Sequence, residues 1–262
     1  MQTFTVTIDG IKVDAAKGAT ILDAAVKAGI WIPTLCHHPA LESRAACRVC
    51  MVEIDRGGWT QMVTACNYPV RKDLTVYTAS ERAISARRGV MELIMARVPQ
   101  SSAIRELAAK MGMEVTPWPT ITESTGDCIL CGLCVQVCEE IMGSSAISFA
   151  GRGTDRSVAT PFRLASDDCT GCGACAAVCP TGAIKTILHQ EEGTVEISPF
   201  GTRVKLLSCR RCGNPLAGTP VNSRMLANLR IGMDELGKRL ALCPSCRRKE
   251  TAAGMSNTAS VL

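Results

Sequence analysis

Polar and apolar residues alternate from Thr3 to Ile8, Asp9-Gly10 supplies a hairpin turn, and residues 11–13 continue as the returning strand. The period then changes. Thr20 reads as a helix N-cap with Asp23 as its capping-box partner. Ile21, Leu22, Ala25 and Val26 recur at helical spacing, and Gly29 fits the C-terminal stop. Further strands are predicted over 48–54, 60–64 and 74–77. A hairpin, a helix and more strands make residues 1–78 a β-grasp unit.

Helical periodicity takes over in residues 79–127. The stretch 80–98 predicts a helix with Ile84, Arg88, Met91 and Met95 along one stripe, ended by Pro99. A second helix over 102–113 has Ile104, Leu107, Ala108 and Met111 on one face. The methionines read as filler for an irregular interface. Pro117-Trp-Pro119 and the polar residues up to Asp127 then form a linker. Beyond it a hairpin is predicted around Gly151-Arg-Gly153, and a strand over 202–207. A helix is expected around 223–230, and residues 251–262 read as a small, polar, frayed tail.

The cysteines change the picture most. There are sixteen in 262 residues, with aromatics at only 3%, so no large aromatic core is expected, and metal centres can substitute for core in small domains. Residues 128–138, Cys-Ile-Leu-Cys-Gly-Leu-Cys-Val-Gln-Val-Cys, have the spacing C-x2-C-x2-C-x3-C. Residues 169–180, Cys-Thr-Gly-Cys-Gly-Ala-Cys-Ala-Ala-Val-Cys-Pro, repeat it and end in the Cys-Pro of bacterial ferredoxin runs. Three cysteines two residues apart wrap a corner of a cubane, with Gly132, Gly171 and Gly173 letting the backbone bend close. The fourth begins a helix and points away to the other cluster. One [4Fe–4S] cluster is therefore assigned to Cys128, Cys131, Cys134 and Cys179, and a second to Cys169, Cys172, Cys175 and Cys138. A disulfide scaffold or a pair of zinc sites needs no such doubled spacing.

In the β-grasp unit, Cys36, Cys47, Cys50 and Cys66 form C-x10-C-x2-C-x15-C, which suits a [2Fe–2S] rhomb although the plant-type first gap is shorter. His37 and His38 adjoin it, but four cysteines already complete the site, so they are read as loop residues. Near the C-terminus Cys209-x2-Cys212 and Cys243-x2-Cys246 form a fourth set of four thiolates, suited to zinc or a mononuclear rubredoxin-type iron.

The alternating N-terminus has no apolar signal-peptide core, and no run reaches the roughly 18 apolar residues of a membrane helix. A reducing, cytoplasmic setting is expected. The net charge of +5 is uneven: residues 200–249 hold 11 Lys/Arg against 2 Asp/Glu. That balance fits a solvated face, an acidic partner or nucleic acid. Base-stacking aromatics are absent from 201–262, which weighs against a zinc-ribbon nucleic-acid binder. Gly151-Arg-Gly-Thr-Asp-Arg156 lacks the third glycine of a dinucleotide fingerprint, and no P-loop occurs.

Pro33-Thr-Leu-Cys-His-His-Pro-Ala-Leu41 followed by Ala46-Cys-Arg-Val-Cys-Met-Val-Glu53 resembles the N-terminal [2Fe–2S] domain of the large iron–sulfur subunit of respiratory complex I. The same domain occurs in the diaphorase of NAD-reducing hydrogenases, in [FeFe] hydrogenases and in NAD-dependent formate dehydrogenases. Residues 87–99 are similar to the helix that enters the His/Cys-ligated [4Fe–4S] site of the complex I subunit. This chain has Arg97 near the histidine position and no cysteine from Tyr68 to Asp127, so that cluster is missing. The Cys128 run, without a proline after Cys138, also resembles the complex I and hydrogenase version, extending the likeness over roughly residues 1–190.

Pattern, cysteine spacing and resemblance together predict an α+β protein: a [2Fe–2S] β-grasp domain (1–78), a helical linker (79–127) and a 2[4Fe–4S] ferredoxin-like domain (128–200), followed beyond the likeness by a C-terminal four-cysteine zinc-ribbon or rubredoxin-like module (201–250) and a flexible tail (251–262). For function, the resemblance carries the reading. It implies a non-catalytic electron-transfer subunit. Such a subunit relays single electrons between a flavin- and NAD(P)H-binding partner and a second redox subunit of hydrogenase, formate dehydrogenase or flavin-bifurcating type. A free polyferredoxin carrier is the alternative.

Overall fold

The computed structural model describes residues 2–121, 126–218 and 241–258. It divides into two compact units: residues 1–136 with 178–183, and residues 137–177 with 184–262.

The first unit is built on a five-stranded mixed sheet. Its strands are β1 (Thr3–Ile8), β2 (Ile11–Ala16), β3 (Met51–Asp55), β4 (Thr60–Thr64) and β5 (Leu74–Tyr77), in the order β2-β1-β5-β3-β4. β1 pairs with β2 antiparallel through Asp9 (φ 47°) and Gly10 (φ 87°), the left-handed pair that a tight hairpin needs. β1 also pairs with β5 in parallel, which is the β-grasp signature. Helix α1 (Ile21–Lys27) carries the predicted capping box: the Asp23 amide donates to Thr20 Oγ1 at 3.1 Å and the Thr20 amide donates to the Asp23 carboxylate at 2.8 Å. Ile21 and Leu22 bury against Val6, Ile8, Val52 and Ile54 in one apolar core.

Two helices follow, α2 (Glu81–Arg97) and α3 (Ser102–Lys110). Ser80 caps α2 by accepting from the Ala83 amide at 3.2 Å. The buried face of α2 is Ala83, Met91, Met95 and Ala96. Ile84, expected on that stripe, is half exposed instead. Ala83, one residue earlier, turns inward where α2 packs on β3. A second apolar core gathers Leu35 and Val49 from the cysteine-bearing loop with Met91, Met95, Val98 and Ile104 from the helical region.

In the second unit, β6 (Ser148–Ala150) and β7 (Ser157–Ala159) form the expected hairpin. A four-stranded antiparallel meander follows, made of β8 (Lys185–His189), β9 (Thr194–Ser198), β10 (Thr202–Ser208) and β11 (Pro215–Gly218). β9 and β10 pair across residue 200, so one sheet joins the second ferredoxin run to Cys209. β8 and β9 go beyond the elements expected from sequence, although Thr194-Val-Glu-Ile-Ser198 alternates and the Gly193 turn precedes it. The helix expected around 223–230 lies outside the described residues. The C-terminal helix Pro244–Thr258 runs well past residue 250, through residues expected to fray. Pro at its first position and Ala252-Ala253 in its body favour helix.

Candidate metal centres

None of the sixteen cysteines forms a disulfide. In the β-grasp unit, three of four converge on loops around β3 and β4: Cys50 directly precedes β3, Cys66 follows β4, and Cys47 lies just upstream. Cys36 joins them. The Cys47 amide donates to Cys36 Sγ at 3.2 Å. Sulfur contacts with Cys47 and then Cys66 hold the Cys36 thiol far below its ordinary range, and the Cys36 contact pushes Cys47 and Cys66 up. A sulfur contact with Cys66 draws Cys50 down to about 7. Such mutual perturbation needs four sulfurs in one cradle, the donor set of a [2Fe–2S] rhomb. His37 Nδ1 is engaged with Ser43 Oγ at 2.7 Å and His38 Nδ1 accepts from the Ala40 amide at 3.2 Å. Both rings thus serve the loop.

The two ferredoxin runs are each divided between the units after the third cysteine. Cys128, Cys131, Cys134 and Cys179 fall in the first unit, and Cys138, Cys169, Cys172 and Cys175 in the second. Burial raises Cys131 to about 11, and the charges of Cys179 and Cys128 add to the rise. In the second unit burial raises Cys175 to about 12, with Cys172, Cys169 and Cys138 contributing. Those four cysteines line one cavity together with Thr170 and Phe200. Thr170 Oγ1 is buried there without a hydrogen-bond partner among the described residues. A soft, anionic sulfur cluster is what four thiolates and an unspent hydroxyl donor fit.

The fourth cysteine does not begin a helix as expected. The short helices Leu133–Gln136 and Ala174–Ala177 carry the third cysteine of each run, Cys134 and Cys175. Cys138 follows in a π-helical turn, Val137–Ile141, closed by the Met142 amide donating to the Val137 carbonyl at 3.0 Å. The wider turn re-aims Cys138 relative to a continuous α-helix.

Three residues with no cysteine signal tie the first run to helix α2 and to the [2Fe–2S] loop within the first unit. Arg97 Nε donates to the Cys128 carbonyl at 3.1 Å, Gln136 Nε2 donates to the Glu42 carbonyl at 3.0 Å, and Ile129 packs on the core of Leu35, Val49 and Met91. The charge of Cys36 is felt at Cys131. Arg97, near the position at which the sequence resemblance leads one to expect a histidine, here serves as a tether.

The C-terminal set is of a different kind. The sulfurs of Cys209, Cys212, Cys243 and Cys246 all lie within 4.8 Å of one another, and Cys212 Sγ stands 3.6 Å from Cys243 Sγ. Tetrahedral bonds of about 2.3 Å put sulfurs about 3.8 Å apart, so the site fits one ion rather than a cluster spread over several irons. The Cys243 amide donates to Cys209 Sγ at 3.3 Å, and this bond is the main cause of a Cys209 thiol lowered to about 6. Arg247 donates to the Leu242 carbonyl at 3.3 Å and Arg210 pairs with Glu250 at 3.5 Å, so part of the basic surplus is used locally.

A family model for a 2Fe-2S iron-sulfur cluster binding domain matches residues 1–81. Two models for 4Fe-4S dicluster domains match residues 127–183 and 162–217. The second of these reaches Cys209 and Cys212, where the sulfur spacing is that of a single ion. The chain is 34% identical over 213 residues to the NADP-reducing hydrogenase subunit HndD of Solidesulfovibrio fructosivorans, covering 70% of this chain and 36% of that protein. It is 31% identical over 202 residues to the mitochondrial NADH-ubiquinone oxidoreductase 78 kDa subunit of Neurospora crassa, covering 68% of this chain and 27% of that protein. The chain thus spans about a third or less of these curated relatives. A chain of an NAD+-reducing [NiFe]-hydrogenase crystallised in the H2-reduced state superposes with a TM-score of 0.52 at 27% identity, covering 60% of this chain and 74% of that one. Through its 2Fe-2S domain, its paired 4Fe-4S motifs and these relatives, the chain resembles the iron–sulfur electron-transfer subunits of complex I-type oxidoreductases and NAD(P)-linked hydrogenases, with an added C-terminal group of four cysteines.

Proposed function

We propose that this protein is an iron–sulfur electron-transfer subunit of a multi-subunit cytoplasmic oxidoreductase, relaying single electrons between a flavin/NAD(P)H module and a second redox module. Cys36, Cys47, Cys50 and Cys66 hold a [2Fe–2S] cluster. Cys128, Cys131, Cys134 and Cys179 hold one [4Fe–4S] cluster, and Cys138, Cys169, Cys172 and Cys175 the other. Cys209, Cys212, Cys243 and Cys246 hold Zn²⁺, a redox-inert ion that stiffens the C-terminal module. The clusters supply one-electron chemistry, and the chain's own residues hold and space them.

The observation that carries this reading is the joint between the first two cysteine sets. One apolar core takes Leu35 and Val49 from the [2Fe–2S] loop and Ile129 from the first ferredoxin run, and Arg97 and Gln136 pin that run in place. Rigid spacing of this kind suits a relay, where each hop depends on a fixed separation. Hydride-to-electron conversion belongs to a flavin on a partner. No helix among the described residues is long and apolar enough to cross a membrane.

The test is affinity purification of the chain from its native cells, followed by mass spectrometry of co-purifying subunits and an NAD(P)H-dependent dye assay. A flavin-binding subunit is expected to co-purify, and the pure single chain is expected to leave NAD(P)H unoxidised. Elution as a lone chain would support a diffusing polyferredoxin instead. Dye reduction by the lone chain would overturn the assignment as a relay.

A further inference from the structure

Thr170 sits between Cys169 and Cys172 and is only 3% exposed. Its hydroxyl has no partner among the described residues, although leaving a buried donor unsatisfied is destabilising. A second hydroxyl on the same cavity, that of Thr202, accepts from the Ser166 amide at 3.2 Å. The cavity that Thr170 lines is walled by Cys138, Cys169, Cys172 and Cys175, by the hydroxyl residues Ser144 and Thr160, and by apolar side chains such as Ile197 and Phe200. None of these hydroxyls bonds Thr170 Oγ1, so the acceptors left to it are the sulfur atoms beside it in the motif. In the first ferredoxin run the same motif position is Ile129, which packs into the core of Leu35 and Met91 and has no proton to give.

We propose that Thr170 donates a hydrogen bond to a sulfur of the cluster held by Cys138, Cys169, Cys172 and Cys175, and thereby raises that cluster's reduction potential. The proposal rests on the [4Fe–4S] reading of those four cysteines. Reduction adds one negative charge to the cluster. A donor aimed at its sulfur stabilises the more negative state more strongly, so the oxidised-to-reduced equilibrium moves toward reduced. Thr170 is a positioning residue for charge, not a ligand. It makes the two copies of the motif electronically unequal while leaving their ligand spacing the same.

The experiment is an EPR-monitored redox titration of the full, cluster-loaded chain under anaerobic conditions, comparing the native protein with Thr170→Val and Thr170→Ser. Valine keeps the shape and removes the donor; serine keeps the donor. One of the two [4Fe–4S] transitions is expected to fall in Thr170→Val by roughly a tenfold change in the reduced-to-oxidised ratio, about 59 mV for one electron. The other [4Fe–4S] and the [2Fe–2S] transitions stay in place, and serine restores the native value. ENDOR after exchange into D₂O reads the donor directly: an exchangeable proton coupled to that cluster is present in the native chain and lost with valine. Should the valine chain lose the cluster, Thr170→Ala carries the same comparison. Unmoved potentials with an unchanged proton coupling would overturn the proposal. A native chain with only one [4Fe–4S] transition would instead overturn the cluster reading beneath it.

Discussion

Gly171→Ala tests whether the second ferredoxin loop is held by packing rather than by backbone conformation alone. Gly171 has φ +65°, and a Cβ there would lie 2.8 Å from Val204 Cβ on β10 and 2.9 Å from Val195 Cγ1 on β9. Gly193, in the turn between β8 and β9, has φ +61° with open space around it. Alanine in the left-handed region costs about 1–2 kcal/mol at either site. Overpacking adds about 1–3 kcal/mol at Gly171 alone. The expected deficits are therefore roughly 1–2 kcal/mol for Gly193→Ala and 2–5 kcal/mol for Gly171→Ala. For a chain of this size each kcal/mol moves the midpoint by about 2–4 °C, so the two variants should differ by roughly 2–12 °C. The assay is an anaerobic thermal ramp at fixed scan rate, read as loss of cluster absorbance, because cluster loss is irreversible. Val195→Ala in the Gly171→Ala background removes one of the two closest contacts and should recover part of the deficit, a coupling of about 0.5–3 kcal/mol. Equal deficits at Gly171 and Gly193, or a Val195→Ala effect that merely adds, would refute the packing account.

Crossed ligation predicts that Cys138→Ser damages the cluster of Cys169, Cys172 and Cys175 and spares that of Cys128, Cys131 and Cys134; EPR of the two [4Fe–4S] signals decides, and loss of the other signal refutes it. Cys243→Ser with Cys246→Ser should remove about one zinc per chain by elemental analysis while the visible spectra of all three clusters persist. A native chain that carries iron at this site, with no zinc, would replace the zinc assignment by a mononuclear iron.

The metal chemistry is legible in the sequence because it is local. C-x2-C-x2-C-x3-C places three thiolates around one centre through a few bonds of backbone, whatever surrounds it, and its repetition at residues 128–138 and 169–179 specifies a pair. The β-grasp hairpin and capped helix are legible for the same reason: Asp9-Gly10 and Thr20 with Asp23 act within a turn. Tertiary structure decided what depends on distant contacts. By its spacing Gly171 reads as a hinge that lets the loop bend. Yet Leu130, at the same motif position in the first run, adopts φ +57° without being glycine. Only β9 and β10 arriving behind the loop, with Val195 and Val204, make glycine obligatory at 171. Ile84 follows the helical period but faces outward, since α2 seats Ala83 against the sheet. Thr170 reads as an ordinary small polar residue until burial strips its hydroxyl of water, and Arg97 as a lost ligand until it bonds the Cys128 carbonyl. At Cys209, Cys212, Cys243 and Cys246 the sequence already pointed to a single ion, and tertiary structure brought the two distant pairs together with sulfurs within 4.8 Å of one another, a spacing that fits that reading because bond lengths set how far apart the thiolates can stand.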